Sequence, residues 1–284
     1  MAVNRIRKPD WLKIRLGGDN RFFKTKQIIE SHGLHTICTS GKCPNLGDCW
    51  SRGIATFMIG GNICTRSCRF CNTSTGKPFP LDPDEPLRVA ESIRLMALQY
   101  AVITSVDRDD LPDLGAQHWV DTICQIKNVN PQTHVEVLIP DFQGRMDLID
   151  RIIETKPDVI AHNLETIRRL TPQIRSAARY EVSLSVLAFT SAKGIRTKTG
   201  IMVGLGETVQ EVEELMDDAL QTGVSMLTIG QYLQPTRKHI PVAEYISPQQ
   251  FEKYRTIALS KGFHSVESAP LVRSSYMKQL RITN

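Results

Sequence analysis

From residue 55 onward, short apolar segments of the chain alternate with stretches of helical periodicity. The apolar segments show little alternation between apolar and polar positions, which is typical of parallel strands buried on both faces. We therefore expect a parallel sheet built from repeated strand–helix units. The six predicted strands are Ala55–Ile59, Ala101–Ser105, Val135–Ile139, Val159–His162, Gly200–Val203 and Met226–Gly230.

The segments between the strands carry helix signals. Thr208 with Glu211 forms a capping-box pattern, and Ser247 before a proline marks another helix start. Apolar spacings of three and four predict a further helix over 164–174. The segment Val182–Phe189 has the composition of a strand, but its spacing also fits a helix. We predict a helix there, since a seventh strand would interrupt the strand–helix repeat.

Six strand–helix units with right-handed crossovers indicate an α/β fold, a partial (β/α)6 TIM-type barrel. An open doubly wound sheet is the alternative, but no G-x-G-x-x-G motif opens a helix here. The pattern divides the chain into an N-terminal extension over 1–53, the barrel over 54–262 and a C-terminal extension over 263–284. The active site is expected at the carboxyl ends of the strands.

Composition and charge narrow the class of protein. The dispersed net charge of +5, from 35 Lys and Arg against 30 Asp and Glu, is too mild to indicate nucleic-acid binding. No apolar run approaches the roughly 20 residues of a membrane-spanning helix, and the first residues lack a signal-peptide core. We therefore expect a cytoplasmic protein that binds neither nucleic acid nor membrane. A monomer is also expected, because no strong oligomer seam is visible.

Cysteine placement indicates the chemistry. Six of the seven cysteines fall between Cys38 and Cys71. In a reducing compartment such clustering indicates metal binding or catalysis more often than disulfides. The seventh, Cys124, stands alone at a helix-like position, and we predict that it is a small core residue.

Cys64, Cys68 and Cys71 form a C-x3-C-x2-C triplet directly after the first predicted strand. A cubane iron–sulfur cluster normally takes four thiolates, one per iron, so a triplet leaves one iron open to another ligand. Zinc is the alternative, but a structural zinc site needs four protein ligands, and no fourth cysteine or histidine lies close behind Cys71. The spacing predicts a 4Fe–4S cluster with an open site.

Cys38, Cys43 and Cys49 form a second triplet, spaced C-x4-C-x5-C, which we name the auxiliary triplet. The glycines and proline between them predict an irregular loop folded around a metal. Polar residues that follow the predicted strands form a candidate ligand-binding rim. They are Thr104, Ser105 and Asp107, then Asn163 and Glu165, then Glu207, and finally Gln231–Gln234.

These motifs resemble those of a known family. The C-x3-C-x2-C triplet, with aromatic Phe70 before its last cysteine, resembles the radical S-adenosylmethionine superfamily. After this resemblance we name Cys64, Cys68 and Cys71 the radical triplet. More specific motifs, spread from Arg5 to Tyr276, resemble the lipoyl synthase family; Met277 departs from the histidine that usually follows them. The motifs are Arg7–Leu12, the auxiliary triplet, Thr104–Asp110, His162–Thr166, Thr228–Pro235 and Arg273–Tyr276.

The resemblance implies a sulfurtransferase that inserts two sulfur atoms, at C6 and C8, into an octanoyl chain carried on a lysine of a lipoyl carrier domain. It implies two 4Fe–4S clusters per chain and S-adenosyl-L-methionine, two molecules for each lipoyl group, giving 5′-deoxyadenosine and methionine. The C–H bonds attacked are unactivated, so a carbon radical in a dry cavity is a chemically reasonable agent. The auxiliary cluster would donate the sulfur.

The same resemblance implies roles for individual residues. The radical triplet would bind the radical-generating cluster and the auxiliary triplet the sulfur-donating cluster. Ser275, with Ser274 as the alternative, would bind the fourth iron of the auxiliary cluster, and Arg273 would control its release or orient the site. The implied contacts to S-adenosylmethionine are Thr104, Ser105, Asn163, Glu165, Arg175, Glu207, Tyr232 and Leu233. Of these, Glu207 could equally cap the helix that starts after it.

The implied partners are octanoylated lipoyl carrier domains, namely 2-oxoacid dehydrogenase E2 subunits and the glycine cleavage H protein. A ferredoxin- or flavodoxin-type reductant and an iron–sulfur carrier that rebuilds the auxiliary cluster are implied as well. The alternatives are another radical sulfur-inserting enzyme, a zinc-binding interaction module and a small electron carrier. An electron carrier needs no barrel, and ferredoxin spacings supply four cysteines for each cluster.

Overall fold

The computed structural model describes residues 7–14 and 18–275 of the chain. Tyr276 and Met277, which belong to the motif comparison above, lie outside the described residues. Strands and helices alternate along most of the chain. In chain order they are α1 (Asn20–Ser31), α2 (Ile37–Ser40), α3 (Leu46–Ser51), β1 (Thr56–Ile59), β2 (Ile63–Cys64), β3 (Ser74–Thr75), α4 (Glu85–Leu95), β4 (Tyr100–Ser105), α5 (Ala116–Val129), β5 (His134–Leu138), α6 (Met146–Glu154), β6 (Val159–Ala161), α7 (Thr171–Ile174), α8 (Tyr180–Ala192), β7 (Arg196–Val203), α9 (Val209–Gln221), β8 (Met226–Gln231), α10 (Pro248–Lys261) and β9 (Ser265–Ala269).

Seven of these strands form one parallel sheet, in the order β1-β4-β5-β6-β7-β8-β9. Each strand lies beside the next sheet strand of the chain, as expected of consecutive strand–helix units. Side chains from β1, β4, β5, β7 and β8 line one cavity, so the sheet curls around it as a partial barrel. The predicted α/β class and partial barrel are confirmed, and β1 and β9 are the two edges of the sheet.

All six predicted strands are present, but the sheet contains a seventh. β9 lies in the segment that we assigned to the C-terminal extension, and it pairs with β8 from Met226↔Ser265 to Gly230↔Ala269. Its positions alternate between buried and half-buried, because an edge strand keeps one face partly open. β9 was therefore not predicted, because its sequence lacks the continuous apolar segment that is typical of a strand buried on both faces.

Three of the helix predictions are confirmed. Val182–Phe189 is helical, as part of α8. α9 begins with the predicted capping box, in which Thr208 and Glu211 each bond the other's backbone N–H. α10 begins at the Ser247 N-cap and ends at Gly262, whose left-handed φ of 118° favours glycine. Among the described helices, none combines the length and apolar character needed to cross a membrane.

The helix predicted over 164–174 is mostly wrong, since only its last turn, α7, is helical. After β6 the chain continues alongside β7 instead. Glu165 donates its backbone N–H to Gly200 O at 3.0 Å, and its own carbonyl accepts from Met202 N at 2.9 Å. The apolar spacing reflects residues buried beneath an irregular segment, and burial alone does not specify a helix.

Two further predictions fail locally. The auxiliary triplet does not lie in a purely irregular loop, because Cys38 belongs to α2 and Cys49 to α3. Thr36 caps α2 by accepting a hydrogen bond from Thr39 N. The sequence prediction considered only the glycines and the proline and did not consider this N-cap residue. Cys124 is exposed and is not a core residue, since it sits on the outer face of α5.

A buried ion pair crosses the interior of the barrel. Lys198 of β7 lies 2.7 Å from Glu136 of β5, and both side chains are almost completely buried. The hydroxyl of Tyr100 on β4 donates to the same carboxylate. Two charges so deeply buried are tolerated only while they are paired and hydrogen-bonded.

We predict that Lys198→Met lowers the free energy of unfolding by about 3–5 kcal/mol, because it leaves the Glu136 carboxylate buried without its cation. Urea denaturation followed by circular dichroism measures the loss. The double variant Lys198→Met/Glu136→Leu removes both charges and should lose clearly less. Equal losses in the single and double variants would show that the ion pair does not determine the stability of this interior.

Candidate active site

A cavity of about 550 Å³ opens at the carboxyl ends of the strands. Both cysteine triplets contribute to its wall. Cys38 and Cys43 line it from the N-terminal extension, and all three cysteines of the radical triplet line it from the loop after β1. Cys49 is not part of the lining. The N-terminal and C-terminal extensions therefore complete a site that the barrel begins.

The radical triplet lies on a tightly folded loop after β1. Gly60 and Gly61 turn the chain with φ values of 80° and 95°. The short strands β2, which ends at Cys64, and β3 then pair in parallel, and Cys68 and Cys71 lie on the chain between them. The Gly60 N–H donates to Glu85 at 2.8 Å, and the same carboxylate contacts His118 at 2.6 Å. A buried acid–imidazole pair therefore fixes the start of the loop.

Charged groups surround Cys64. Its Sγ accepts from the backbone N–H of Asp107 at 3.3 Å and of Arg66 at 3.4 Å. The buried Arg66 guanidinium contacts Asp109 at 2.7 Å, Asp141 at 2.8 Å and Asp107 at 3.4 Å. Burial raises the pKa of Cys64 to about 12, and the neighbouring Asp107 carboxylate adds to the rise. A thiol in this environment keeps its proton in the absence of a metal and releases it to solvent when it binds one.

The auxiliary triplet is gathered by α2, α3 and the turn between them. Cys43 N donates to Cys38 O at 3.0 Å, and Cys49 N donates to Asn45 O at 2.8 Å. Burial raises the pKa of Cys38 to about 11 and that of Cys49 to about 12. The Cys38 and Cys43 thiols contribute to the rise at Cys49, so the three thiols lie within electrostatic reach of one another.

The C-terminal tail, residues 270–275, crosses the top of β8 and reaches the auxiliary triplet. Asn45 Nδ2, between Cys43 and Cys49, donates to Leu271 O at 2.6 Å. Arg273, Ser274 and Ser275 then line the cavity. Burial lowers the pKa of Arg273, and the Cys43 thiol acts in the opposite direction, so guanidinium and thiol are neighbours. The tail and the auxiliary triplet thus form one wall.

Two side chains hold the radical triplet's last cysteine in place. Asn72 Nδ2 donates to Ser40 O at 2.8 Å and ties the loop to the turn between Cys38 and Cys43. His239 Nε2 lies 2.9 Å from Cys71 O. Asn72 therefore joins the loops of the two triplets directly.

The predicted S-adenosylmethionine contacts mostly converge on the cavity. Glu207 is the exception: its carboxylate accepts from Gly204 N and from Leu205 N, at 2.5 and 2.9 Å, and it does not line the cavity. The capping box of α9 uses Glu211 instead. The seven predicted contacts that line the cavity are Thr104, Ser105, Asn163, Glu165, Arg175, Tyr232 and Leu233.

Beneath these contacts runs a directional hydrogen-bond chain that the sequence analysis missed. Arg175 Nη1 donates to Ser183 Oγ at 2.9 Å, and Ser183 Oγ lies 2.9 Å from His162 Nε2. His162 Nδ1 lies 2.9 Å from Ile139 O, so the neutral ring donates from Nδ1 and accepts at Nε2. Ser183 carried no sequence signal, because it is one serine inside a helix.

Other residues that shape the site could have been found from the sequence. Asp107 was already predicted as part of the rim, and Arg66 lies inside the radical triplet. Only the fold, however, shows that Asp141 joins them from the loop after β5. The network depends on three separate loops meeting at one rim.

The residues present fit iron–sulfur clusters and a polar ligand. None of the six clustered cysteines is in a disulfide. The indole nitrogen of Trp50 is buried without a hydrogen-bond acceptor beside Cys38, where a cluster-bound thiolate would accept a hydrogen bond from it. Oδ1 of Asn163 is likewise buried and unpartnered at the cavity wall. Within 7–14 and 18–275, no three His, Cys, Asp or Glu side chains converge on a single-ion site, whereas structural zinc needs four protein ligands.

Comparison with known proteins gives a consistent result. The family model described as the radical SAM superfamily matches residues 58–219. A lipoyl synthase of Parabacteroides distasonis is 72% identical over 280 residues, which cover 99% of this chain and 100% of that protein. Lipoyl synthases of Bacteroides thetaiotaomicron and Flavobacterium psychrophilum are 64% and 53% identical, over 99% and 98% of this chain and 99% and 96% of theirs.

Solved structures share the fold at low sequence identity. SuiB of Streptococcus suis bound to S-adenosylmethionine superimposes with a TM-score of 0.58 at 9% identity, over 76% of this chain and 51% of that one. Methylornithine synthase gives a TM-score of 0.54 at 12% identity, over 80% of this chain and 76% of that one. These likenesses support the partial barrel.

The His162 environment makes stability depend on pH. Burial, reinforced by Arg175, lowers the pKa of His162 from 6.5 to about 4, with Asp141 opposing. Between pH 6.5 and 4 the unfolded imidazole binds a proton that the folded one does not, so acidification destabilises the fold. The loss should reach about 3 kcal/mol relative to neutral pH.

We predict that His162→Gln removes this contribution, so that its free energy of unfolding changes less than that of the parent chain between pH 7 and 4. Urea denaturation at several pH values gives the difference between the two proteins. The same dependence in both would contradict a neutral, buried His162.

Proposed function

Because the chain belongs to the lipoyl synthase family of the radical SAM superfamily, we propose that its two cysteine triplets divide one sulfur-insertion reaction between them. The chain is a sulfurtransferase that converts protein-bound octanoyl groups into lipoyl groups. Its cofactors are 4Fe–4S clusters and S-adenosylmethionine. Its substrates are lipoyl carrier proteins.

One observation carries the residue-level proposal: the radical triplet, two cysteines of the auxiliary triplet and the C-terminal tail line a single cavity. A radical formed at one wall and a sulfur source at the other can then act on the same octanoyl chain, and the chain does not have to leave the cavity between the two steps. The volume of about 550 Å³ lies within the range usual for small-molecule sites.

We assign the radical-generating cluster to Cys64, Cys68 and Cys71. With S-adenosylmethionine on its open iron, this cluster supplies a carbon radical able to remove hydrogen from an unactivated C–H bond. The protein's own contribution is to orient and to exclude water. Asn163, Glu165 and the other rim contacts hold the polar groups of S-adenosylmethionine. The apolar wall that keeps the octanoyl chain dry comprises Ile14, Ile37, Met58, Leu138, Ile139, Ile201, Met202 and Val272.

We assign the auxiliary cluster, the sulfur substrate, to Cys38, Cys43, Cys49 and Ser275. Ser274 Oγ already accepts from Asn163 Nδ2 at 2.7 Å, which supports Ser275 as the iron ligand over its neighbour. Serine oxygen is a harder and weaker ligand for this iron than thiolate, which suits an iron that must leave during turnover. Arg273, beside Cys43, is placed to orient the tail or to control release of the serine.

The remaining assignments extend this proposal. The carriers would be 2-oxoacid dehydrogenase E2 subunits and the glycine cleavage H protein, acting with a ferredoxin- or flavodoxin-type reductant and an iron–sulfur carrier. The chain would act as a monomer in the cytoplasm, where six free thiols stay reduced. The extensions over 1–53 and 263–284 would serve the auxiliary cluster and the barrel over 54–262 the radical. Glu207 stays a predicted contact, but it would need to leave its backbone partners to reach a ligand.

Substitutions in the two triplets should separate the two halves of the reaction. We predict that Cys38→Ala still cleaves S-adenosylmethionine to 5′-deoxyadenosine but forms no lipoyl product, because only the sulfur source is lost. Cys64→Ala should do neither. After anaerobic reconstitution the parent chain should hold about eight irons and each variant about four. The matched control is Cys124→Ala, an exposed thiol outside the cavity. Zinc in place of iron would reject the assignment.

The variant Ser275→Ala tests whether Ser275 binds the fourth iron of the auxiliary cluster. We predict that it retains cleavage of S-adenosylmethionine and loses sulfur insertion by at least about tenfold, since the fourth iron would lack its protein ligand. Product analysis by mass spectrometry, with Mössbauer spectroscopy of the auxiliary cluster, measures both effects. Full insertion by Ser275→Ala would show that this serine is not the ligand.

A further inference from the structure

Ser274 makes a hydrogen bond that links two parts of the site. Its Oγ accepts from Nδ2 of Asn163 at 2.7 Å, although the two residues are 111 positions apart. The same nitrogen donates to Oε1 of Glu165 at 3.0 Å. Both protons of the Asn163 amide are thereby committed, one to a rim carboxylate and one to the C-terminal tail.

The oxygen of that amide lacks a hydrogen-bond donor within the described part of the chain. Oδ1 of Asn163 is buried and has no hydrogen-bond partner among the described residues. Buried carbonyl oxygens are nearly always paired, so a donor that none of the described residues supplies indicates a ligand at this cavity wall. The amide cannot simply flip, because Oδ1 would then face the Glu165 carboxylate as a second acceptor. The orientation that binds Ser274 is therefore fixed.

The tail reaches Ser274 already restrained. Leu271 O accepts from Asn45 at 2.6 Å, and Val272 N donates to Ala269 O at 3.0 Å. Val272 O lies so close to Gly230 that a Cβ there would stand 2.1 Å from it. Ser274 and Ser275 are adjacent, with Cα atoms about 3.8 Å apart, so a shift of one hydroxyl moves the other.

We infer that Ser274 is a positioning residue that couples the S-adenosylmethionine site to the auxiliary cluster. The coupling rests on the proposed roles of Asn163 and Ser275. A ligand that donates a hydrogen bond to Oδ1 of Asn163 strengthens the hydrogen bond from Nδ2 of the same amide to Ser274, because hydrogen bonds in series polarise one another. Ser274 in turn holds Ser275 against the auxiliary triplet. By linkage, a seated tail tightens the binding of S-adenosylmethionine by the same factor.

The test compares Ser274→Ala with the parent holoenzyme, reconstituted anaerobically with both clusters. Calorimetry should show S-adenosylmethionine binding about three- to tenfold more weakly to the variant, the effect of one lost hydrogen bond. Hydrogen exchange should show that S-adenosylmethionine protects residues 271–275 in the parent and not in the variant. Ser274→Thr keeps a hydroxyl and should restore both. Ser260→Ala, the same change on an exposed serine of α10, should match the parent.

The outcomes separate this inference from the proposed function. Parent-like affinity and parent-like protection of the tail in Ser274→Ala, together with weakened binding in Asn163→Ala, overturn the coupling and leave the site assignment standing. Parent-like affinity in Asn163→Ala rejects the assignment of Asn163 and the coupling with it. Loss of S-adenosylmethionine-dependent tail protection in Ser274→Ala, rescued by Ser274→Thr, supports the coupling.

Discussion

The contact between the two ends of the chain determines the form of this site. An incomplete barrel has two free edges, and here the N-terminal extension lies against β1 while the C-terminal tail follows β9. The hydrogen bond from Asn45 to Leu271 O joins these ends across 226 positions. The auxiliary triplet and the serine pair meet because the open side of the sheet brings them together. A closed barrel would leave no edge for the extensions to occupy.

Burial of charge complements this arrangement. Arg66 lies among Asp107, Asp109 and Asp141, and the thiol of Cys64 lies beside Asp107. Such a group of charges is stable only with hydrogen bonds that satisfy each member, and loops from three strand ends supply them. The site is therefore preorganised around the radical triplet before a substrate binds.

The sequence predicted much of this, and the failures have physical causes. Strands buried on both faces were found because their signal is continuous, whereas β9 was missed because an edge strand alternates. The apolar spacing over 164–174 suggested a helix, but the chain there pairs with β7. Cysteine spacing identified both triplets, since metal ligands must be close in sequence or in space. Ser183, Asp141 and the Asn163–Ser274 bond carry no local pattern and emerge only when distant segments meet.

In the proposed reaction, one cavity presents a radical to the substrate from one wall and sulfur from the other. A single turnover with sulfur tracing tests this proposal. The chain is reconstituted with heavy-isotope sulfide, freed of excess label, and supplied with octanoylated carrier, reductant and S-adenosylmethionine. Both sulfur atoms of the lipoyl product should carry the heavy isotope, as mass spectrometry of the carrier would show. A lipoyl product whose sulfur comes from unlabelled sulfide in solution would contradict the proposal.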